Sequence, residues 1–338
     1  MSAKISTTAP AAPLVVDLAG RERTHVVEIA GTSVHYWEYA AVGSPAIAAD
    51  VAAVPAATTD AVAAPAPVPA SAASPVRTIV MVHGFRGDHH GLERVVELLP
   101  HARIIMADLP GFGRSPAFVS GGGHDIPGYS AFLGGFLDQL ELGPETVLLG
   151  HSFGSIVVSH FVAANPGRVY PLILVNPIAA PALEGPKGIM TKLAVFYYWA
   201  AAKLPDALGN ALLRSKVIVH LMSVTMAKTR DKELLTFIHG QHHAYFSGFA
   251  NRDMLLEAFQ ASAGGTVREV AALLTLPTLL IAGELDEIAP LPHQHKLLER
   301  LPDGELVVIA GVGHLIHYET PEPAAAAITD FLERHPAP

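Results

Sequence analysis

Two short stretches of alternating apolar and polar residues, HVVEIA from His25 and SVHYWEYA from Ser33, flank a Gly-Thr pair and predict an opening antiparallel hairpin. Residues 42–75 break the pattern, being almost entirely Ala, Pro, Val, Ser and Thr. Prolines this frequent block helix hydrogen bonding and sheet pairing alike, so the segment predicts a disordered or polyproline-like excursion without chemistry of its own. Beyond it come apolar runs without alternation: RTIVMVHG, ARIIMADL, TVLLGHS, PLILVNP, PTLLIAGELD and ELVVIAG. Helical spacing separates them, near residues 92–99, 129–142 and 291–301, after Ser152, and from Pro321 onward. Strands buried on both faces read as continuous apolar runs, so the alternation predicts an α/β fold: a mostly parallel twisted sheet with helices on both faces. The interval from Pro177 to Leu276 shows helical periodicity and no strand. Its segments MTKLAVFYYWAAAKLPDALGNALL and DKELLTFIHG are apolar for surface helices and predict a helical lid inserted between two sheet strands. The expected division is an N-terminal tail at 1–24, a core at 25–41 and 76–181, the excursion at 42–75, a helical cap at 182–270 and a second core part at 271–338.

Composition works mainly by exclusion. The chain has 338 residues, 50% apolar and 16% charged, enough for a sizeable packed core. A net charge of −9 disfavours nucleic acid, which needs a basic face. With no cysteine, disulfide frameworks, thiolate metal sites and cysteine nucleophiles are all excluded. The N-terminal sequence lacks a basic segment followed by an apolar core, and no apolar run reaches about 18 residues. The expectation is a cytoplasmic protein without a spanning membrane segment.

The candidate chemistry starts at LLGHSFGSIVVSH, where Ser152 sits between Gly150 and Gly154, with a strand-like run before it and a helix-like run after it. This is the setting of a nucleophile elbow: a strained turn exposes the hydroxyl above the sheet, and glycines two residues either side avoid the neighbouring strand and helix. A serine hydroxyl needs a base, and the base an orienting acid. AGELDEIAP places Asp286 just past one strand end, and GVGHLIHYETPE places His314 just past the next. Reactive groups of parallel sheets gather at the carboxyl ends of strands, where these positions can meet Ser152.

On these motifs the chain resembles the α/β-hydrolase fold family, in the branch with a helical cap inserted after the sixth strand. The resemblance spans nearly the whole chain apart from the tail and the excursion. It implies Ser152 as nucleophile, His314 as general base and then acid, and Asp286 as the carboxylate holding the imidazole, in the family's serine, acid, histidine order. MVHGFRGD resembles the family's His-Gly segment after the third strand and implies Phe85 as one backbone N–H of an oxyanion hole. Phe153, directly after the nucleophile, supplies the second. DLPGFGRS matches another loop of the family, taken as structural.

Several residues compete for these roles. Glu284 and Glu287 flank Asp286, but the family's spacing from Gly283 selects Asp286, and Glu184 stands too far along to serve as an acid after the sixth strand. His317 matches no role in the family, and His151 is expected to pack within the elbow. The stretches DHHG, GQHHAYF with His239, and HQH hold no histidine pair with an acidic partner at metal-site spacing, so neither a metal nor a cofactor is expected. Ser155 stands where many relatives have a further glycine, without removing a catalytic group. The expected activity is hydrolysis of a carboxylic ester or related acyl bond of a small, mainly apolar substrate through an acyl-enzyme. A serine nucleophile argues against the family's dehalogenases and epoxide hydrolases. Alternatives with the same triad are C–C bond hydrolysis of a dienoic ketone, lactone opening, acyl transfer and perhydrolysis; a ligand-binding receptor is the non-enzymatic one.

Overall fold

The structure, a computed structural model, describes residues 5–6, 16–43, 76–120, 122–181 and 188–338. Most of the Ala/Pro-rich segment, residues 44–75, lies outside the described residues, as does Glu184. The strands are β1 (Ile5–Ser6), β2 (Glu22–Ile29), β3 (Thr32–Tyr39), β4 (Thr78–Val82), β5 (Arg103–Ala107), β6 (Val147–His151), β7 (Leu172–Val175), β8 (Thr278–Gly283) and β9 (Gly304–Ile309). They form one sheet ordered β1-β9-β8-β7-β6-β4-β5-β3-β2, antiparallel at β2/β3 and β3/β5 and parallel elsewhere.

The opening hairpin begins at Glu22, ahead of the alternation at His25. Arg21 explains the early start: its buried guanidinium donates to the carbonyls of Ala40, Val96, Leu99 and Ala102, tying the strand entry to the next layer. The central strands β6, β7 and β8 are buried along their whole length. Their successive residues feed two different cores. Leu148, Leu172 and Leu280 pack with Phe136, Phe153 and Phe161 on one face, while Leu149, Ile173 and Ile281 pack with Ile328 and Phe331 on the other. This period-two sorting is why the strands read as unbroken apolar runs.

The helices are α1 (Glu93–Val96), α2 (Ile126–Gln139), α3 (Phe153–Ala164), α4 (Gly188–Lys203), α5 (Asp206–Leu213), α6 (Lys216–Met226), α7 (Lys232–Tyr245), α8 (Arg252–Gly264), α9 (Leu291–Leu298), α10 (Ile316–Glu319) and α11 (Pro321–Arg334). The helix expected over 92–99 shrinks to α1 behind a 3₁₀ turn at His89–Leu92. Its last amides tighten onto the third residue back, Leu98 to Val95 and Leu99 to Val96, and Pro100 ends it. Helix α2 starts where Asp125 accepts the Gly128 N–H at 2.8 Å, with Pro127 in the first turn. Helices α4 to α8 all fall between β7 and β8. No helix among the described residues is long and apolar enough to cross a membrane.

Candidate active site

Ser152 stands between the last residue of β6 and the first of α3, with φ 53° and ψ −116°. A side chain rarely accepts that conformation, which typically costs about 1–3 kcal/mol and persists only where its surroundings enforce it. The Ser152 N–H donates to Val175 O at 3.0 Å, pinning the turn to β7. A Cβ at Gly150 would lie 2.5 Å from the Gly154 carbonyl oxygen, and one at Gly154 would collide with the Val82 carbonyl oxygen on β4. Both glycines are therefore required by the packing of strand, turn and helix.

The residues expected to act together converge although they are far apart in sequence. His314, in the loop after β9, has Nε2 2.8 Å from Ser152 Oγ and Nδ1 2.7 Å from Asp286 Oδ2. Asp286, beyond β8, is buried; Ile288 and Ala289 donate backbone N–H groups to its Oδ1 at 2.8 and 2.9 Å. Burial alone would raise its pKa, but the adjacent His314 imidazole and these amides outweigh that and hold the carboxyl below its usual range. The rival acids are occupied elsewhere. Glu284 accepts the Gly311 N–H at 2.9 Å, and Glu287 pairs with Lys228 at 2.9 Å.

Three contributors carried no role in the sequence reading. Asn176 follows β7 with φ 46°, is fully buried, and donates Nδ2 to Asp286 Oδ2 at 2.8 Å and to Gly313 O at 3.3 Å, bracing the carboxylate and the His314 loop together. Its place after a strand end was the available signal, but an amide is not a recognisable acid or base.

His83, at the end of β4, accepts the Leu109 N–H on Nε2 at 2.9 Å, so Nδ1 carries the proton and donates to Gly84 O at 2.8 Å. Gly87 N–H donates to the same carbonyl at 3.0 Å. Because carbonyl and N–H point opposite ways across a trans peptide, this turns the Phe85 N–H away from both donors. Among the described residues, neither Phe85 nor Phe153 N–H has a protein acceptor. Phe153 also opens α3, so its N–H lies at the positive end of that helix. Ser155 does more than fill space: it donates to Ser152 O at 2.5 Å and accepts the Ile178 N–H at 3.1 Å.

The third, Arg86, has φ 62° and is 1% exposed. Its Nε donates to Phe246 O at 2.9 Å, its Nη2 to Leu213 O at 2.7 Å, and its Nη1 to the Tyr198 hydroxyl at 3.3 Å. Leu213 ends α5 and Phe246 follows α7, so the cation faces two helix C-termini, whose partial negative charge compensates its burial. The residue next to Phe85 thus fastens the inserted helices.

Ser152 and His314 open onto a cavity of about 630 Å³ walled by Phe85, Ile178 and Leu315 from the core and by Ala194, Tyr198, Met222, Met226, Phe246 and Phe259 from the insert. Of the aromatics in AVFYYW, Tyr198 lines it, whereas Phe196 and Trp199 are 60% and 52% exposed and stack on each other. His151 and His317 also line it, their rings 4.2 Å apart. Burial pushes the His151 imidazole down to about 3 and His317 well below its usual value, so both are neutral.

A family described as alpha/beta hydrolase fold matches residues 77–321. The chain is 27% identical over 276 residues to 2-hydroxy-6-oxononadienedioate/2-hydroxy-6-oxononatrienedioate hydrolase 2 of Pseudomonas putida, covering 76% of this chain and 87% of that one. It is also 27% identical over 265 residues to pimeloyl-(acyl-carrier protein) methyl ester esterase of Yersinia enterocolitica, covering 76% and 93%. Among solved structures, a thermophilic esterase from Thermogutta terrifontis superposes with a TM-score of 0.66 at 21% identity, over 92% of this chain and 98% of that one.

Proposed function

Because the chain belongs to the alpha/beta hydrolase fold family and is a hydrolase, we propose that it cleaves a carboxylic ester or related acyl bond of a small, mainly apolar substrate through an acyl-enzyme on Ser152. One observation carries this reading: the unbroken run of hydrogen bonds from Asp286 through His314 to Ser152.

In the proposed cycle, Ser152 Oγ attacks the carbonyl carbon while His314 Nε2 takes its proton. Asp286 stays ionised and holds the imidazolium by Nδ1. The carbonyl oxygen becomes an anion between the Phe85 and Phe153 N–H groups, each donor worth about 3 kcal/mol of transition-state stabilisation. Collapse of this intermediate breaks the ester C–O bond, and His314 gives its proton to the departing alkoxide. Water then enters, His314 takes a proton from it, and hydroxide attacks the acyl carbon. The second collapse releases the acid and returns the proton to Ser152.

Residues 182–270 act in this reading as a cap over the nucleophile, and the apolar wall from Tyr198 to Phe259 accommodates the acyl chain. Each methylene buried there contributes up to about 0.8 kcal/mol. The test is a panel of p-nitrophenyl esters from acetate to laurate, with fluorophosphonate labelling, in wild type and Ser152→Ala. The expected outcome is kcat/KM rising towards medium chains and loss of both turnover and label in the variant. Undiminished turnover in Ser152→Ala would overturn the assignment. The Pseudomonas relative motivates a second reading, C–C bond hydrolysis of a dienoic ketone, which loss of a chromogenic dienoate's absorbance would reveal.

A further inference from the structure

The histidines of the inserted helices form a cluster away from the catalytic serine. His239 and His243 are four residues apart on α7 and so share one face of it. Helix α6 packs against that helix and brings His220 between them: its ring centroid lies 4.8 Å from that of His239 and 5.5 Å from that of His243. Within α7 no acidic residue stands one turn from His239 or His243; across the two helices a third imidazole takes that place.

A buried hydroxyl stands behind the cluster. Ser223, one turn from His220 and fully buried, lies 2.6 Å from His239 Nδ1 and 2.6 Å from His242 Nδ1. With His239 donating Nδ1–H to Ser223 Oγ and the serine hydroxyl donating in turn to His242 Nδ1, His239 Nε2 keeps its lone pair. Metal-bound imidazoles are commonly oriented by such a hydrogen bond on the other nitrogen. His220 is exposed and makes no hydrogen bond among the described residues, so its ring is free to turn.

We infer that His220, His239 and His243 form a binding site for a divalent transition-metal ion of the zinc class, with Ser223 as the residue that orients His239. Three imidazoles without a carboxylate or thiolate suit zinc, cobalt, nickel or copper and not magnesium or calcium. Three nitrogens at about 2.0–2.1 Å leave a fourth tetrahedral position for water. Closing onto the ion takes side-chain rotation, chiefly of His220. The competing cluster of Asp88, His89 and His90 brings its ligand atoms within 4.8 Å of one another. There, however, His89 is buried and stacked on Trp37 with ring centroids 3.3 Å apart, so it cannot turn, and two of the three prospective ligands bond each other, His90 Nδ1 lying 3.1 Å from Asp88 Oδ1.

The site is tested by titrating tag-free, chelator-treated full-length protein with cobalt(II), reading the visible d–d absorption, and with zinc(II) by calorimetry. The expected result is one ion per chain, with a cobalt spectrum typical of four- or five-fold nitrogen and oxygen coordination. His220→Ala and His239→Ala should each weaken binding about 100-fold or more, and Ser223→Ala about 10- to 100-fold. His90→Ala should leave it unchanged. Because His220 is exposed, its variant keeps the fold. A cobalt spectrum and zinc affinity unaltered by His220→Ala, or binding abolished by His90→Ala, would overturn the site.

Discussion

Two apolar segments of this chain meet opposite fates. From Val147 to Ala164, β6 and α3 bury nearly every residue, because sheet neighbours cover both sides of the strand and the helix lies over the sheet. Helix α4 is also rich in apolar residues but buries one side, Tyr198 and Ala201, and leaves Leu193, Val195, Phe196 and Trp199 to solvent. The first environment can hold Ser152 in a strained conformation to within a hydrogen bond of His314. The inserted helices to which α4 belongs meet the core through separate ties, among them Arg86, the Lys228–Glu287 pair, the Glu319 carboxylate on the Lys228 and Thr229 amides, and the Phe112–Phe249 bridge. In the proposed reading, reaction geometry thus belongs to the sheet and the substrate wall to the inserted layer.

The sharpest way to break this contrast is at the sheet end of the relay. Asp286→Asn should lower kcat on a p-nitrophenyl ester by about 10⁴-fold with little change in melting temperature, since the amide favours the wrong imidazole tautomer. Asn176→Ala, which removes one donor to that carboxylate, should cost about 10-fold on the same assay. Glu284→Gln should change kcat little. A larger loss with Glu284→Gln than with Asp286→Asn would reassign the acid.

Next in size is the acid sensitivity of the buried histidines. Burial pushes His151 and His242 down to about 3 and His317 well below the ordinary 6.5. Below pH 6.5 the unfolded chain therefore binds protons that the folded chain refuses. Stability should fall as pH drops from there towards 3, by roughly 1 kcal/mol per pH unit for each such histidine. Melting temperatures measured between pH 7.5 and 5 should show this, and His242→Leu should make the decline shallower. An equal decline in that variant would remove His242 from the account.

Arg86→Met tests the tie between the layers. It leaves the Leu213 and Phe246 carbonyls without their charged donor, at a cost of about 2–3 kcal/mol. We expect faster proteolysis within residues 188–264 than in the sheet, together with a fall in kcat through the neighbouring Phe85 N–H. Protease cuts distributed as in wild type, with unchanged kcat, would mean the insert is held by other contacts.

The smallest effect belongs to the solvent side of α4. Trp199→Ala should change stability by no more than about 0.5 kcal/mol and leave the acyl-chain profile intact. Tyr198→Ala, which enlarges the cavity and removes a partner of Arg86, should shift the preference towards longer chains.

Much of the core was legible in the residues alone, because strands buried on both faces leave unbroken apolar runs and an elbow needs glycines at fixed offsets. Gly150, Ser152 and Gly154 are a local signal, and Asp286 and His314 follow strand ends in an order the family shares. Helix α4 was less legible: a helix apolar all round has no stripe to mark its inward side, so periodicity could not separate Tyr198 from Trp199. Pattern and motif therefore determined the sheet, the candidate nucleophile and the long helical interval. Tertiary structure alone decided that Asn176 braces Asp286, that His83 aims the Phe85 N–H, that Arg86 spans two helix ends, and that His220 meets His239 and His243. Those relations join residues distant in the chain through amides, carbonyls and neutral imidazoles, whose partners are set by how the layers pack and not by any spacing along the sequence.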